Sequence, residues 1–140
     1  MKNLFIILIA FLVSACKTNT IDLVPVTQTL PADNTVTQQA VGSFTNGVHA
    51  VSGMVKVVAS KTDATKRSLV FENFKTEAGP DLYLYLAEDL KATAYTEVIK
   101  LANTGSFTVD IPATAKLDKQ KYVLVWCKQY AVLFGSAKLE

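Results

Sequence analysis

Asp81-Leu82-Tyr83-Leu84-Tyr85-Leu86-Ala87 is the stretch whose reading decides the fold. Leucine and tyrosine alternate, so Leu82, Leu84 and Leu86 share one face and Tyr83 and Tyr85 the other. That period of two belongs to a strand with one apolar side; a helix would scatter the leucines around its axis. Gly79-Pro80 just before it is a turn signal. Working outward, Leu69–Phe74 is a short β-rich run on the N-terminal side. On the C-terminal side, Tyr95–Leu101 and Phe107–Ile111 read as paired strands around Asn103-Thr104-Gly105, with Pro112 ending the second. Tyr122–Lys128 and Ala131–Phe134 are the last two candidates, and Gly135 leads into a short C-terminal segment. Nearer the N-terminus, Thr45-Asn46-Gly47-Val48 sets an Asn-Gly pair between apolar runs, a hairpin signal because both residues tolerate positive φ. A strand follows from about His49 to Val58, with His49, Val51, Val55 and Val57 on one face. Only Glu88–Thr93 hints at a helical turn. The expectation is an all-β chain: a single antiparallel β-sandwich or barrel-like domain of about eight strands over residues 41–140.

The first sixteen residues have a different character. Lys2 is followed by ten apolar residues, Leu4 through Val13. Ten residues span about 15 Å as a helix, half of a ~30 Å hydrocarbon core, so this reads as a cleaved targeting segment rather than a transmembrane helix. Val13-Ser14-Ala15-Cys16 resembles the lipobox of bacterial lipoproteins, which implies a signal peptide over 1–15 and a lipidated Cys16. Two or three acyl chains, at roughly 0.8 kcal/mol per buried CH₂, make such an anchor effectively permanent. By analogy with enteric sorting, Lys17 in place of aspartate leans toward the outer membrane. Residues 17–40 are rich in Thr, Gln and Pro, and Pro25 and Pro31 interrupt any regular pattern. The expectation for 16–40 is a flexible tether with a reach of roughly 70 Å when extended; the alternative is that Ile21–Leu30 adds an edge strand.

Charge excludes one class of partner. The chain has 14 Lys+Arg and 12 Asp+Glu; without Lys2 the balance is 13 to 12, and no basic cluster suggests nucleic-acid binding. Supply excludes several cofactors. His49 is the one histidine and, with Cys16 acylated, Cys127 the one free thiol. One chain therefore lacks the ligands for a blue-copper site, a structural zinc site or a cysteine-ligated iron–sulfur cluster. There is no Cys-x-x-Cys, phosphate-binding loop, dinucleotide fingerprint or nucleophile elbow. Glu88-Asp89 reads as a solvated loop, because adjacent strand residues face opposite ways.

Cys127 lies in Val123-Leu124-Val125-Trp126-Cys127. Read from the residues, it is either a buried structural cysteine behaving as a small hydrophobe or a thiolate for redox or axial haem chemistry. His49 reads as a hydrogen-bonded residue near a hairpin or as a ligand. Trp126, Tyr83, Tyr85, Tyr122 and Tyr130 read as packing or its rim.

Gly42-Ser43-Phe44, His49-Ala50-Val51-Ser52-Gly53, Leu69–Phe74, Gly79-Pro80-Asp81-Leu82-Tyr83-Leu84-Tyr85-Leu86, Tyr122–Cys127 and Phe134-Gly135-Ser136-Ala137-Lys138-Leu139 occur in that order. Together they resemble the DM-thirteen (Skeletor-type) electron-transfer domain over essentially all of 41–140. The resemblance implies a β-sandwich-like module proposed to act in electron transfer. In that proposal a hallmark cysteine, here Cys127, works as a bare thiol or holds a group such as haem. His49 matches the family's histidine segment, and Asp81 its Gly-Pro-Asp turn, where a turn-stabilising job suffices. The expected function is thus a lipid-anchored electron carrier of the cell envelope, with no substrate pocket of its own and a transient redox partner protein. Its redox or cofactor-binding candidates are Cys127 and His49. The alternative is a non-redox interaction module on a lipid tether, with Cys127 structural and the loops 60–67 and 113–120 making contacts.

Overall fold

The computed structural model describes residues 20–140. Nine strands form: β1 (Val24–Thr27), β2 (Val36–Asn46), β3 (Val51–Ser60), β4 (Arg67–Thr76), β5 (Leu82–Ala87), β6 (Tyr95–Lys100), β7 (Asn103–Asp110), β8 (Tyr122–Cys127) and β9 (Val132–Lys138). No helix occurs among the described residues. The strands make one sheet in the order β1-β7-β4-β3-β2-β9-β8-β5-β6, antiparallel throughout except for the parallel β1–β7 pair. The sheet curls on itself into a half-barrel. The all-β, barrel-like expectation holds, with one strand more than the eight read from the sequence.

The curl has identifiable causes. β2 pairs with β3 over Val36–Ser43 and then with β9 over Phe44–Asn46, so it carries the sheet around a corner. Gly135 sits mid-strand in β9 at that corner, where a Cβ would lie 2.6 Å from the side chain of Val51 and 2.7 Å from the Thr45 carbonyl. Paired irregularities at Gly53 (φ +110°) and Asn73 (φ 51°) interrupt the β3–β4 ladder and add coil, as bulges do. Inside the curl lie Phe44, Phe71, Phe74, Phe107, Leu82, Leu84, Leu86, Val123, Val125, Cys127 and Phe134. The leucines of the alternating stretch all face this core, and Tyr83 and Tyr85 belong to a second cluster with Leu124 and Trp126.

Four expectations are corrected. Tyr95–Leu101 and Phe107–Ile111 are not partners: β6 pairs with β5, and β7 with β4 and β1. The Leu101 amide still donates to the Leu82 carbonyl at 2.8 Å, so the chain stays on β5 until it turns the corner. Asn103-Thr104-Gly105, read as their turn, belongs to β7 itself; Gly105 (φ +95°) leaves room for the backbone of Val26. Asn46-Gly47 does not make a tight two-residue turn. A four-residue loop 47–50 forms instead, in which Gly47 and His49 amides donate to Phe134 O (2.7 and 3.3 Å) and Val48 N to Leu133 O (3.0 Å). Asn46 Oδ1 accepts from Val51 N at 2.9 Å and closes the loop. Gly135 lies within β9 and does not end it, and Glu88–Thr93 is a turn built on Asp89 Oδ1, which accepts from the amides of Lys91 and Thr93.

Within the segment read as a tether, the structure differs from 24 onward. Val24–Thr27 is the edge strand β1, the alternative reading of that stretch, and β2 begins at Val36, inside the expected 16–40. The physical reason is unsatisfied edge: β7 offers unpaired groups beside β4, and Val26 and Leu23 pack on the core once β1 fills them. The signal segment and Cys16 lie outside the described residues.

Candidate functional site

The up-and-down strands have two ends. At one end β2 leaves, β3 enters, β4 leaves, β5 enters, β8 leaves and β9 enters. Loops 47–50, 77–81 and 128–131 therefore meet there. His49, Gly79-Pro80-Asp81, Cys127 and Phe134 are far apart in sequence, yet the topology brings all of them to this end.

Cys127 is the last residue of β8, opposite Leu82 of β5 and Val132 of β9. It is 0% exposed and free, and it belongs to the apolar core. Its thiol has no hydrogen-bond partner among the described residues. The next residue, Lys128, is exposed and donates its amide to the Asp81 carbonyl at 2.9 Å, which ties the β8 exit to the Gly-Pro-Asp turn. The turn is crowded by design of its packing: a Cβ on Gly79 would lie 2.8 Å from Leu82 Cδ2 and 2.9 Å from Phe134 Cζ. Asp81 caps the arrangement from outside by taking Lys100 Nζ at 2.9 Å. That contact holds the Lys100 ammonium above the usual lysine range.

His49 stands on the same end but on the rim. Its ring stacks on Phe134, centroids 3.9 Å apart, and its Nδ1 lies 2.7 Å from Glu77 Oε2. Glu77 Oε1 also accepts from Ala50 N at 3.2 Å. The His49 hydrogen bond, and then the Ala50 amide, hold the Glu77 carboxyl below the usual carboxylate range. Glu77 has no signal in the sequence that marks it as the histidine's partner; it is one exposed acid among many until loops 47–50 and 77–81 are placed side by side.

A second feature also escaped the sequence. Side chains alternate in a strand, so where Cys127 faces inward its neighbour Trp126 faces outward. There Trp126 joins Tyr85, with ring centroids 6.3 Å apart. Tyr85 stacks on Tyr95 at 4.2 Å and lies 6.3 Å from Tyr83. Burial, and then the neighbouring Tyr95, push the Tyr85 phenol well above the ordinary tyrosine range. Lys128 Nζ sits 4.8 Å above the Tyr83 ring and 2.9 Å from Glu97. Tyr95 lies across the sheet from Ala87, so its place in this column depends on the β5–β6 register.

A family model described as electron transfer DM13 matches residues 43–139. The chain belongs to the DM13 electron-transfer family. No curated protein and no solved structure matches it significantly. The DM13 match covers β3 through β9 and most of the second half of β2, and therefore every residue of the end just described.

The surroundings of Cys127 in this DM13 domain do not fit haem. An axial ligand needs a face of the porphyrin against it, and the Cys127 sulfur is enclosed on all sides by core. The clefts between Leu30 and Glu72, Val98 and Asp110, Glu88 and Gln120, and Gln39 and Leu139 include neither Cys127 nor His49 in their walls. His49 has Nδ1 held by Glu77 and one ring face covered by Phe134, which leaves Nε2 as the atom that could meet a ligand.

Proposed function

We propose that this DM13 chain is a lipid-anchored electron-transfer protein of the cell envelope, held through Cys16 and using Cys127 as a bare-thiol one-electron centre. The enclosure of Cys127 carries the reading. Thiol–disulfide exchange requires a second sulfur to approach the first, and a thiol without exposed surface admits none. That argues against two-electron thiol chemistry, including an intermolecular disulfide. Outer-sphere electron transfer needs no contact with the sulfur.

An oxidised one-electron centre on a partner protein takes one electron from the Cys127 thiol, leaving a thiyl radical. The thiol proton has no acceptor in the closed core, so it leaves during a transient opening of loop 128–131, beside exposed Lys128, and passes to water there. Reduction of the radical by a donor, with return of a proton, restores the thiol. Trp126, bonded to Cys127 through one peptide, and Tyr85, Tyr95 and Tyr83 supply polarisable groups between the sulfur and the outer surface.

A second reading keeps its own observation. A thiol with no polar partner, packed among leucine, valine and phenylalanine, is also what a purely structural cysteine looks like. Ferricyanide, an inorganic one-electron oxidant, separates the two on the full chain. Electron transfer expects about one oxidising equivalent consumed per chain, lost in Cys127→Ala while the β-sheet circular dichroism persists. Equal consumption by both proteins, or by neither, assigns Cys127 to packing.

A further inference from the structure

Resting on the anchoring reading of Cys16, we infer that the loop end carrying Cys127 and His49 faces the lipid bilayer and lies against it. The Ile21 amide donates to the Gly79 carbonyl at 3.3 Å, and the Val24 amide to the Ala102 carbonyl at 2.8 Å. β1 then runs parallel to β7, away from this end. The N-terminal segment therefore meets the domain at the Gly79 turn. Cys16 is five residues before Ile21. A chain spans at most about 3.6 Å per residue, so the acylated cysteine lies within about 18 Å of the Gly79 turn. The domain itself is taller than that. Strands β3 and β4 have 10 residues each, about 30 Å at strand rise. The roughly 70 Å spacer expected from residues 17–40 is absent, because most of its residues are used in β1, β2 and the turn between them.

The surface agrees independently. The most exposed large apolar side chains among the described residues are Val48 (74%), Tyr130 (63%) and Val24 (55%). All three belong to this end: Val48 tips loop 47–50, Tyr130 tips loop 128–131, and Val24 opens β1. Scattered apolar residues on a soluble surface need no explanation, but here the three most exposed all lie at the one end where the chain meets its anchor. Tyrosine suits the headgroup level, where its ring is apolar and its hydroxyl stays wet. The occupant of this surface is thus the bilayer holding the chain's own lipid. The enclosed Cys127 sits one layer behind it.

The test uses the full acylated chain in vesicles of phosphatidylethanolamine and phosphatidylglycerol. Single exposed sites are changed to cysteine and spin-labelled: Val48→Cys and Tyr130→Cys at this end, Ala64→Cys and Lys119→Cys at the other. Cys127 is enclosed and Cys16 is acylated, so neither competes for label. The readout is collision with lipid-dissolved oxygen relative to collision with a water-soluble nickel chelate. The expected ratio is several-fold higher at 48 and 130 than at 64 and 119. Equal ratios at all four sites on vesicle-bound chain overturn the orientation and leave the anchor standing. A chain whose mass shows no acyl group and which floats free of vesicles overturns both.

Discussion

Replacing Cys127 by serine and by alanine tests how dry its site is, because the two changes rank in opposite orders under opposite premises. Alanine removes the sulfur and leaves a small void. Deleting one buried heavy atom of this kind costs about 1–2 kcal/mol, since the strands around it relax only in part. Serine nearly fills the space and would be the milder change wherever its hydroxyl found a partner. At position 127 no described group offers one, and the residue is 0% exposed. An unpartnered buried hydroxyl costs about 1–3 kcal/mol, added to the loss of a side chain that behaves as a small hydrophobe. Serine should therefore be worse than alanine by about 1 kcal/mol, although it is the closer isostere. Urea unfolding followed by circular dichroism reads this directly. With a slope of about 1.5 kcal/mol per molar, the serine midpoint falls roughly 0.7 M below that of alanine, and the slope itself is unchanged. A serine variant as stable as the alanine variant, or more so, refutes the reasoning: the closed site would then contain water or an acceptor, and the thiol would have a standing route to solvent.

Three further outcomes follow from the same contacts. The Glu77 carboxyl is depressed in the folded chain, so its stabilising contribution is complete above the ordinary carboxylate value of about 4.3 and is lost as pH falls through the lower folded value; Glu77→Gln should flatten the acid limb of stability below about pH 4, measured as midpoint against pH. The Tyr85 phenol is raised, so folding resists its ionisation, and stability falls as pH rises past about 10; Tyr85→Phe should remove the latest-ionising component from the alkaline absorbance titration of the five tyrosines. Gly135→Ala places a Cβ 2.6 Å from Val51 and 2.7 Å from the Thr45 carbonyl at the sheet corner, and should cost about 1–3 kcal/mol by urea unfolding, as overpacking does.

What the sequence made legible was whatever alternates. Leu82, Leu84 and Leu86 against Tyr83 and Tyr85 fixed both a strand and its inner face, and Val51, Val55 and Val57 did the same for β3. Pairing was less legible, because a period of two says which face a residue takes and nothing about its neighbour strand. β6 and β7 are adjacent in the chain and look like a hairpin, yet Leu101 is held to Leu82 and each strand finds its partner elsewhere. β1 was hidden for a related reason. A four-residue edge strand containing Pro25 has almost no pattern of its own, and it forms because β7 presents an open edge. At the site, Cys127 and His49 were visible as rare residues, but their environments were not. Glu77 and Phe134 become the histidine's partners only through the loop contacts, and the stacking of Tyr85 on Tyr95 depends on cross-strand register.

The enclosure of Cys127 and the short reach from Cys16 constrain each other. If Cys127 is the redox centre and its end faces the bilayer, as proposed, a water-soluble protein could approach from that side only by displacing lipid. The outer face of β5, β6 and β8 has no such obstruction. Its aromatic column starts at Trp126 and Tyr83, near the Cys127 end, and continues through Tyr85 to Tyr95, which pairs at the far end of β5. On that proposal an electron leaving Cys127 along this column would move away from the bilayer, and a soluble partner would meet it on the side of the domain. The lysines at the near end of the column are already committed, Lys100 to Asp81 and Lys128 to Glu97. Long-range charge steering is therefore weak on this face, and a partner docking there should show little dependence of its association rate on salt.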